Sequence, residues 1–125
     1  MANAKEPVIL AARRTPFGRR GGALRATRPD ELLAGILSAT VEAAGIPREA
    51  IGDVIAGCVS QAGEQGANIA RQAALLAGLS ASTPGVSLNR MCGSSQYAVH
   101  AAAQAVAAGD LELAIGCGVE SMSRV

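Results

Sequence analysis

The sequence predicts an α/β fold in which a mostly parallel sheet carries helices on both faces. Four short apolar runs are typical of buried strands, three longer segments have helical periodicity, and the two kinds alternate along the 125 residues. The resulting order, β-α-β-α-β-α-β, calls for right-handed crossovers between parallel strands. We expect strands at residues 7–12, 54–56, 86–88 and 111–115, and helices at residues 29–44, 68–77 and 94–108.

The first strand is predicted by the continuous apolar run Pro7–Ala12, the pattern of a strand covered on both faces. A basic loop follows, with six arginines between positions 13 and 28. Such a cluster can bind phosphate or carboxylate groups, but it is more often a solvated surface or a subunit-contact network. The sequence leaves these alternatives open.

The first helix has sequence signals at both ends. Pro29 suits the first turn, Asp30 and Glu31 complement the helix dipole, and Gly45 ends the helix. Its apolar residues form one stripe, made of Leu32, Leu33, Ile36, Leu37, Thr40, Val41 and Ala44. We expect this helix to cover a sheet face and to do nothing more.

A glycine-rich loop, residues 61–68, connects the second strand to the second helix. Such a loop before a helix can hold phosphate. The P-loop spacing and its lysine are missing, however, and so is the Gly-x-Gly-x-x-Gly pattern. We expect this loop to shape the wall of a pocket.

Cys92 follows the third strand at the turn into the third helix. The unpaired N–H groups at a helix start favour an anion, and thiolate is the reactive form of cysteine. Gly93 lets the backbone bend closely, while Ser94 and Ser95 can cap the helix and donate hydrogen bonds. Cys92 is therefore a candidate nucleophile, and the alternative is a small buried cysteine at a helix start.

The third helix is rich in alanine and has no polar face, because only Gln96, His100 and Gln104 interrupt it. A helix that is apolar all round is buried all round, so we expect it in a middle layer of the fold. Half of the chain is apolar although it has only one Tyr, one Phe and no Trp. The core is therefore predicted to form by close backbone approach, with the cover for this helix in missing sequence or a partner chain.

Composition excludes several classes of function. A net charge of +1 argues against a nucleic-acid partner. No apolar run approaches the roughly 18–20 residues that cross a bilayer, and the polar segment 1–7 has no signal-peptide core. Cys58, Cys92 and Cys117 have no metal-like or redox-like spacing. We expect free thiols in a cytoplasmic protein, with no metal and no membrane partner.

A catalytic cysteine needs a base or acid partner, and the sequence offers none nearby. The only histidine, His100, lies about 12 Å from Cys92 along the helix axis, so it is interpreted as structural. Cys58 and Cys117 follow the predicted second and fourth strands, on the same carboxyl edge as Cys92. We expect each to be a small residue in a tight turn.

Four motifs occur in order along the chain: Arg14–Gly18 (RTPFG), Asn68–Gln72 (NIARQ), Asn89–Gln96 (NRMCGSSQ) and Gly116–Ser123 (GCGVESMS). Together they resemble the N-terminal half of thiolases, the acetyl-CoA and 3-ketoacyl-CoA acyltransferases. The resemblance implies that residues 1–125 are an N-terminal thiolase domain, truncated before the loop domain and the C-terminal domain. It also implies a thiolase-like fold that is incomplete without its C-terminal half.

The resemblance further implies a ping-pong acyl transfer in fatty acid metabolism. Cys92 would take the acyl group from an acyl-CoA as a thioester, and its backbone N–H would help to form an oxyanion hole. CoA or an acetyl-CoA enolate would then collect the acyl group. Coenzyme A thioesters are substrates here, no other cofactor and no cofactor-binding residue is implied, and a homodimer or homotetramer is expected. The family's Gly-His-Pro and Cys-x-Gly-Gly-Gly motifs are not in this sequence, so we expect no turnover from these residues alone.

The chain departs from the family pattern at three positions. Ser95 stands where the usual Cys-x-Ser-Gly has glycine, Cys117 replaces a usual glycine, and Ala67 stands where many members carry Gln. The last change bears on pocket shape and chain-length preference. Three alternatives stay open: a ketoacyl-synthase-like condensing enzyme, a non-catalytic fragment or pseudo-enzyme subunit, and a thiol redox sensor using Cys92.

Overall fold

A computed structural model describes residues 4–125, so the first three residues of the polar segment 1–7 lie outside it. Within the described range the elements are α1 (Pro29–Ala44), β1 (Asp53–Gly57), α2 (Ile69–Leu76), β2 (Gly85–Leu88), α3 (Ser94–Ala108) and β3 (Ala114–Gly118). Short 3-10 turns lie at Arg48–Ala50 and Gly63–Gln65. The strands form one parallel sheet in the order β2-β1-β3, which confirms the predicted α/β class. None of these helices is both long enough and apolar enough to span a bilayer.

The core lies on both sides of the central strand β1, whose side chains alternate between two apolar clusters. On one side Val54 and Ala56 pack with the buried stripe of α1 and with α2, in a cluster centred on Leu37. On the other side Ile55 packs against α3. The helices therefore cover both faces of the sheet, as predicted, and α1 reaches its cluster by packing against α2.

Glycines allow the helices to approach the sheet at backbone distance. A Cβ built on Gly116 would lie 2.5 Å from the Cα of Val99 in α3, and one on Gly85 would lie 2.8 Å from the backbone nitrogen of Arg71 in α2. Real Cβ atoms essentially never come within 3.0 Å of another heavy atom. The expected core of small residues in close backbone contact is therefore observed.

The predicted first strand is wrong. Residues 7–12 are extended but join no sheet, and Val8 and Ile9 are 73% and 83% exposed. An apolar run becomes a strand only when another strand accepts its hydrogen bonds, and the described residues supply no such neighbour. The described sheet accordingly has three strands where four were predicted.

The last strand begins later than predicted. It starts at Ala114 and includes Cys117, because its register is fixed by pairing with β1 from Asp53↔Ala114 to Gly57↔Gly118. Cys117 therefore lies inside β3, whereas the sequence placed it after the strand end. The flanking Gly116 and Gly118 are strand residues that face α3, so the tight turn expected at Cys117 is not observed.

The third helix is not buried all round within the described chain. Ser94, Ala98 and Ala102 form its buried face. The opposite side is open, with Val99 45% exposed and Tyr97 37% exposed. An apolar sequence shows which faces of a helix are suited to burial. Whether those faces are buried depends on whether other elements pack against them, and the described residues supply none for the open side of α3.

Candidate active site

Cys92 lies in the short turn between the end of β2 at Leu88 and the start of α3 at Ser94. The turn is tight because Met91, immediately before the cysteine, has a positive φ of 50°. This left-handed conformation is uncommon for a residue with a side chain. Gly93 is the N-cap of α3, so Cys92 stands directly before the helix.

Side chains on both sides of the turn hold this conformation. The Oδ1 of Asn89 accepts a hydrogen bond from the Met91 N–H at 2.9 Å. The Oγ of Ser94 accepts from the Arg90 N–H at 2.7 Å and donates to the Met91 carbonyl at 2.6 Å. Ser94 was predicted as a helix cap, and it instead bonds backwards into the turn that carries the cysteine.

Backbone donors at the start of α3 follow Cys92 directly in sequence. The Gly93 and Ser94 N–H groups close the turn on Arg90 and Met91, and the Tyr97 N–H donates to the Gly93 carbonyl at 2.9 Å. Between them, the N–H groups of Ser95 and Gln96 have no acceptor within residues 4–125. Free N–H groups at the positive end of a helix dipole favour negative charge on a neighbouring group.

Of the three cysteines, Cys92 is the exposed one, while Cys58 is buried and Cys117 is partly buried. Burial, with a smaller contribution from the Glu120 carboxylate, raises the pKa of the Cys58 thiol to about 11. Burial alone raises the pKa of the Cys117 thiol to about 12. The predicted nucleophile is therefore accessible, and the other two thiols are held in their unreactive protonated form.

The glycine-rich loop is fastened to the segment after β3 by two polar side chains that the sequence analysis missed. Gln65 is fully buried, and its Nε2 donates to the Ser60 carbonyl at 2.9 Å and to a carboxylate oxygen of Glu120 at 3.0 Å. Its Oε1 accepts from the Ser121 N–H at 2.6 Å. Glu120 also accepts from the Val59 N–H at 2.9 Å. The sequence offered one signal for this contact, namely the acidic residue Glu120 shortly after the Gly-x-Gly run of the last strand.

His100 is not brought to the sulfur. It lines a shallow depression of about 220 Å³ on the outer face of α3, with Arg90, Gly93, Gln96 and Tyr97. The Arg90 guanidinium stacks over the Tyr97 ring at 4.5 Å from its centre. Cys92 does not line this depression, and the interpretation of His100 as structural stays a prediction.

Part of the arginine-rich loop is an internal ion-pair network. Arg28 pairs with Asp30 at 2.9 Å and with Glu64 at 3.2 Å, and Arg124 pairs with Glu64 at 2.5 Å. These bonds connect the start of α1, the glycine-rich loop and the segment after β3. Within residues 4–125 no group of three His, Cys, Asp or Glu side chains is arranged to hold a metal ion.

Comparisons with known proteins match nearly the whole chain. The profile of the family described as "Thiolase, N-terminal domain" matches residues 7–125. A beta-ketoadipyl-CoA thiolase of Pseudomonas aeruginosa is 52% identical over 121 residues, which are 96% of this chain and 30% of that protein. A 3-ketoacyl-CoA thiolase of Yersinia pestis is 45% identical over 120 residues, 94% of this chain and 31% of that protein.

A solved structure has the same fold. The crystal structure of the Bacillus anthracis acetyl-CoA acetyltransferase superposes with a TM-score of 0.91 at 37% sequence identity. The match covers 98% of this chain and 31% of that one. The chain therefore spans about 30% of the length of the relatives that it matches.

Proposed function

The chain belongs to the thiolase family, matching its N-terminal domain, and from that premise we propose that it is the nucleophile-bearing part of a CoA-dependent acyltransferase. We propose further that residues 1–125 are the N-terminal domain of a longer enzyme, since the chain spans about 30% of its relatives. The proton-handling groups would lie outside these residues. The observation that carries the proposal is the exposed Cys92, presented by a strained turn beside free N–H groups at the start of α3.

In the degradative direction the Cys92 sulfur attacks the ketone carbon of a 3-oxoacyl-CoA, and a carbon–sulfur bond forms. The bond between C2 and C3 breaks, and the departing acetyl-CoA enolate takes a proton at C2. The thiol of a second CoA then attacks the acyl-cysteine and leaves with the acyl group, while its proton returns to the Cys92 sulfur. N–H groups at the helix start stabilise the charge that develops near them in each addition.

The substrate class follows from the relatives. Proteins named beta-ketoadipyl-CoA thiolase are 47–52% identical to this chain, whereas the acetyl-CoA acetyltransferase of known structure is 37% identical. We therefore propose a 3-oxoacyl-CoA with a second carboxylate, such as 3-oxoadipyl-CoA, as the preferred substrate. From the family resemblance alone, we propose that the enzyme acts in the cytoplasm as a homodimer or homotetramer.

The complete coding sequence that contains these residues provides the test. Beyond Val125 it is expected to encode Gly-His-Pro and Cys-x-Gly-Gly-Gly, and its product is expected to cleave 3-oxoadipyl-CoA more efficiently than acetoacetyl-CoA, as judged by kcat/KM. Cys92→Ala removes this activity, while Cys117→Ala, at a partly buried thiol away from the reaction, retains it. A reading frame without the two motifs, or turnover by the Cys92→Ala variant, would overturn the proposal.

A further inference from the structure

We propose that Glu120 and Asn89 are positioning residues, which hold the Cys92 turn in place through a series of hydrogen bonds across the carboxyl edge of the sheet. That Glu120 and Asn89 support acyl transfer by positioning Cys92 rests on the proposed function. The coupling of Glu120 to the turn is a property of the fold and can be measured without any acyl transfer.

The first part of the series fixes the chain that follows β1. One carboxylate oxygen of Glu120 accepts from the Val59 N–H at 2.9 Å. The other accepts from the Ser60 N–H at 3.3 Å and from the Gln65 side chain at 3.0 Å. Three donors from two separate segments thus converge on one carboxylate, and Val59 is held in a set position.

The second part connects Val59 to the turn. The Val59 carbonyl accepts a long hydrogen bond, 3.4 Å, from the Asn89 side-chain amide. The other end of the same side chain, Oδ1, accepts from the Met91 N–H at 2.9 Å. Asn89 therefore connects the anchored Val59 to the residue that immediately precedes the candidate nucleophile.

The backbone at Met91 explains why such support is needed. A left-handed φ of 50° is unfavourable for a residue with a Cβ, so the turn needs bonds that select it. Without the Asn89 acceptor, only the two Ser94 hydroxyl bonds would hold this conformation, and Met91 would adopt an ordinary φ more often. The position of Cys92 relative to the start of α3 would then change.

The environment of Glu120 differs from that of an ordinary surface carboxylate. Desolvation raises the pKa of Glu120, but the hydrogen bonds from Gln65, Val59 and Ser60 outweigh it, so the pKa lies below its usual range. By contrast, the side chain of Glu112 is 91% exposed, and among the described residues its one ion pair is with Lys5. Glu112 is therefore a matched control for a charge change at a glutamate that supports no turn.

The test is the rate at which iodoacetamide alkylates Cys92 in the 125-residue chain at neutral pH, resolved by peptide mass spectrometry. In Glu120→Gln one acceptor oxygen is replaced by an NH2 group, which cannot accept from the Val59, Ser60 or Gln65 donors, so the anchor is weakened. We expect alkylation of Cys92 to slow by about two- to fivefold, the loss that follows when a thiolate no longer lies at a helix N-terminus. Glu112→Gln should leave the rate unchanged.

Variants at Asn89 separate the two ends of its side chain. Asn89→Ala removes both bonds and should slow alkylation as much as Glu120→Gln. Asn89→Asp keeps the acceptor for Met91 but loses the donor to Val59, so its rate should be intermediate. Adding Met91→Gly to Asn89→Ala should recover part of the rate, because glycine adopts a positive φ without support.

The buried thiols report whether a variant is still folded. Alkylation of Cys58 and Cys117 should stay slow in every variant. If it rises in Glu120→Gln, that variant has lost part of its fold, and the rate of Cys92 in Asn89→Asp, which keeps one of the two Asn89 bonds, is used instead. Wild-type reactivity of Cys92 in Asn89→Asp and Asn89→Ala, with both buried thiols protected, would overturn the inference. An absence of acyl transfer in the whole enzyme would instead overturn the proposed function and leave this coupling intact.

Discussion

Gly57 at the end of β1 and Ser95 in the first turn of α3 meet backbone to backbone. A Cβ on Gly57 would lie 2.4 Å from the Ser95 nitrogen and 2.5 Å from the Ser94 carbonyl carbon. The start of α3 is thereby pressed onto the carboxyl edge of the sheet. This contact places the turn with Cys92 beside the chain segments that follow β1 and β3.

Substituting Gly57 tests this packing. Gly57→Ala is expected to destabilise the chain by about 1–3 kcal/mol or more, because two backbones have to separate to admit a methyl group. The free energy of unfolding from urea titration provides the measurement. Gly35→Ala is the matched control, since Gly35 lies exposed in α1 with nothing within 4 Å of the added Cβ. It should stabilise the chain by about 0.5–1 kcal/mol through helix propensity. A loss at the buried Gly57 no larger than that expected at an exposed position would contradict the contact.

The three thiols are expected to differ sharply in reactivity. At pH 8 in native buffer, one thiol per chain should react promptly with a disulfide reagent, and peptide mapping should identify it as Cys92. Cys58 and Cys117 should react only after unfolding, because burial raises the pKa of the first to about 11 and of the second to about 12. Rapid labelling of either residue in the native chain would contradict the described core.

Stability should fall in acid through the ion pairs near the start of α1. The hydrogen bond from Arg28 lowers the pKa of Asp30, and that from Arg124 lowers the pKa of Glu64. Because the folded-state values are depressed, the stabilisation is complete above the unfolded carboxyl pKa of about 4 and is lost as the pH falls through the folded values. Unfolding midpoints measured from pH 6 downwards should show this decline.

Asp30→Asn checks the origin of that decline. It should lower stability at pH 6 and make the acid dependence less steep. Glu112→Gln, at an exposed carboxylate, should change neither quantity appreciably. An unaltered acid slope in Asp30→Asn would show that these pairs are not its source.

The core around α1 should respond to truncation at Leu37, which is 1% exposed. Leu37→Ala is expected to cost about 2–5 kcal/mol of unfolding free energy, from lost burial and the cavity left behind. Leu75→Ala removes the same atoms from a side chain that is 47% exposed, and its cost should be well under half as large. Equal costs at the two positions would contradict the assignment of the core.

The elements with local signals were predictable from the sequence. The helix α1 follows from Pro29 and Gly45, and the turn at Cys92 follows from an apolar run that gives way to small residues. The exposed, unpaired state of segment 7–12 was not predictable, because an apolar run has the same sequence pattern whether or not a neighbouring strand is present to pair with it.

The site was predictable only in part. The place of Cys92 before a helix is a local feature, and the structure agrees with it. Gln65 and Glu120 were missed because they meet across 55 residues, and neither has a neighbour in sequence that reveals its partner. Cys117 was expected in a tight turn because the sequence does not show that a helix backbone lies against the flanking Gly116 and Gly118.

The most direct test of the account is to find where an acyl group becomes attached. The product of the whole coding sequence is incubated with acetyl-CoA, quenched with acid, digested and examined by mass spectrometry. We expect one acetyl group, removable by hydroxylamine as a thioester, on the peptide that contains Cys92, and none at that position in Cys92→Ala. Acetylation of a different residue, or release of CoA that continues in Cys92→Ala, would contradict it.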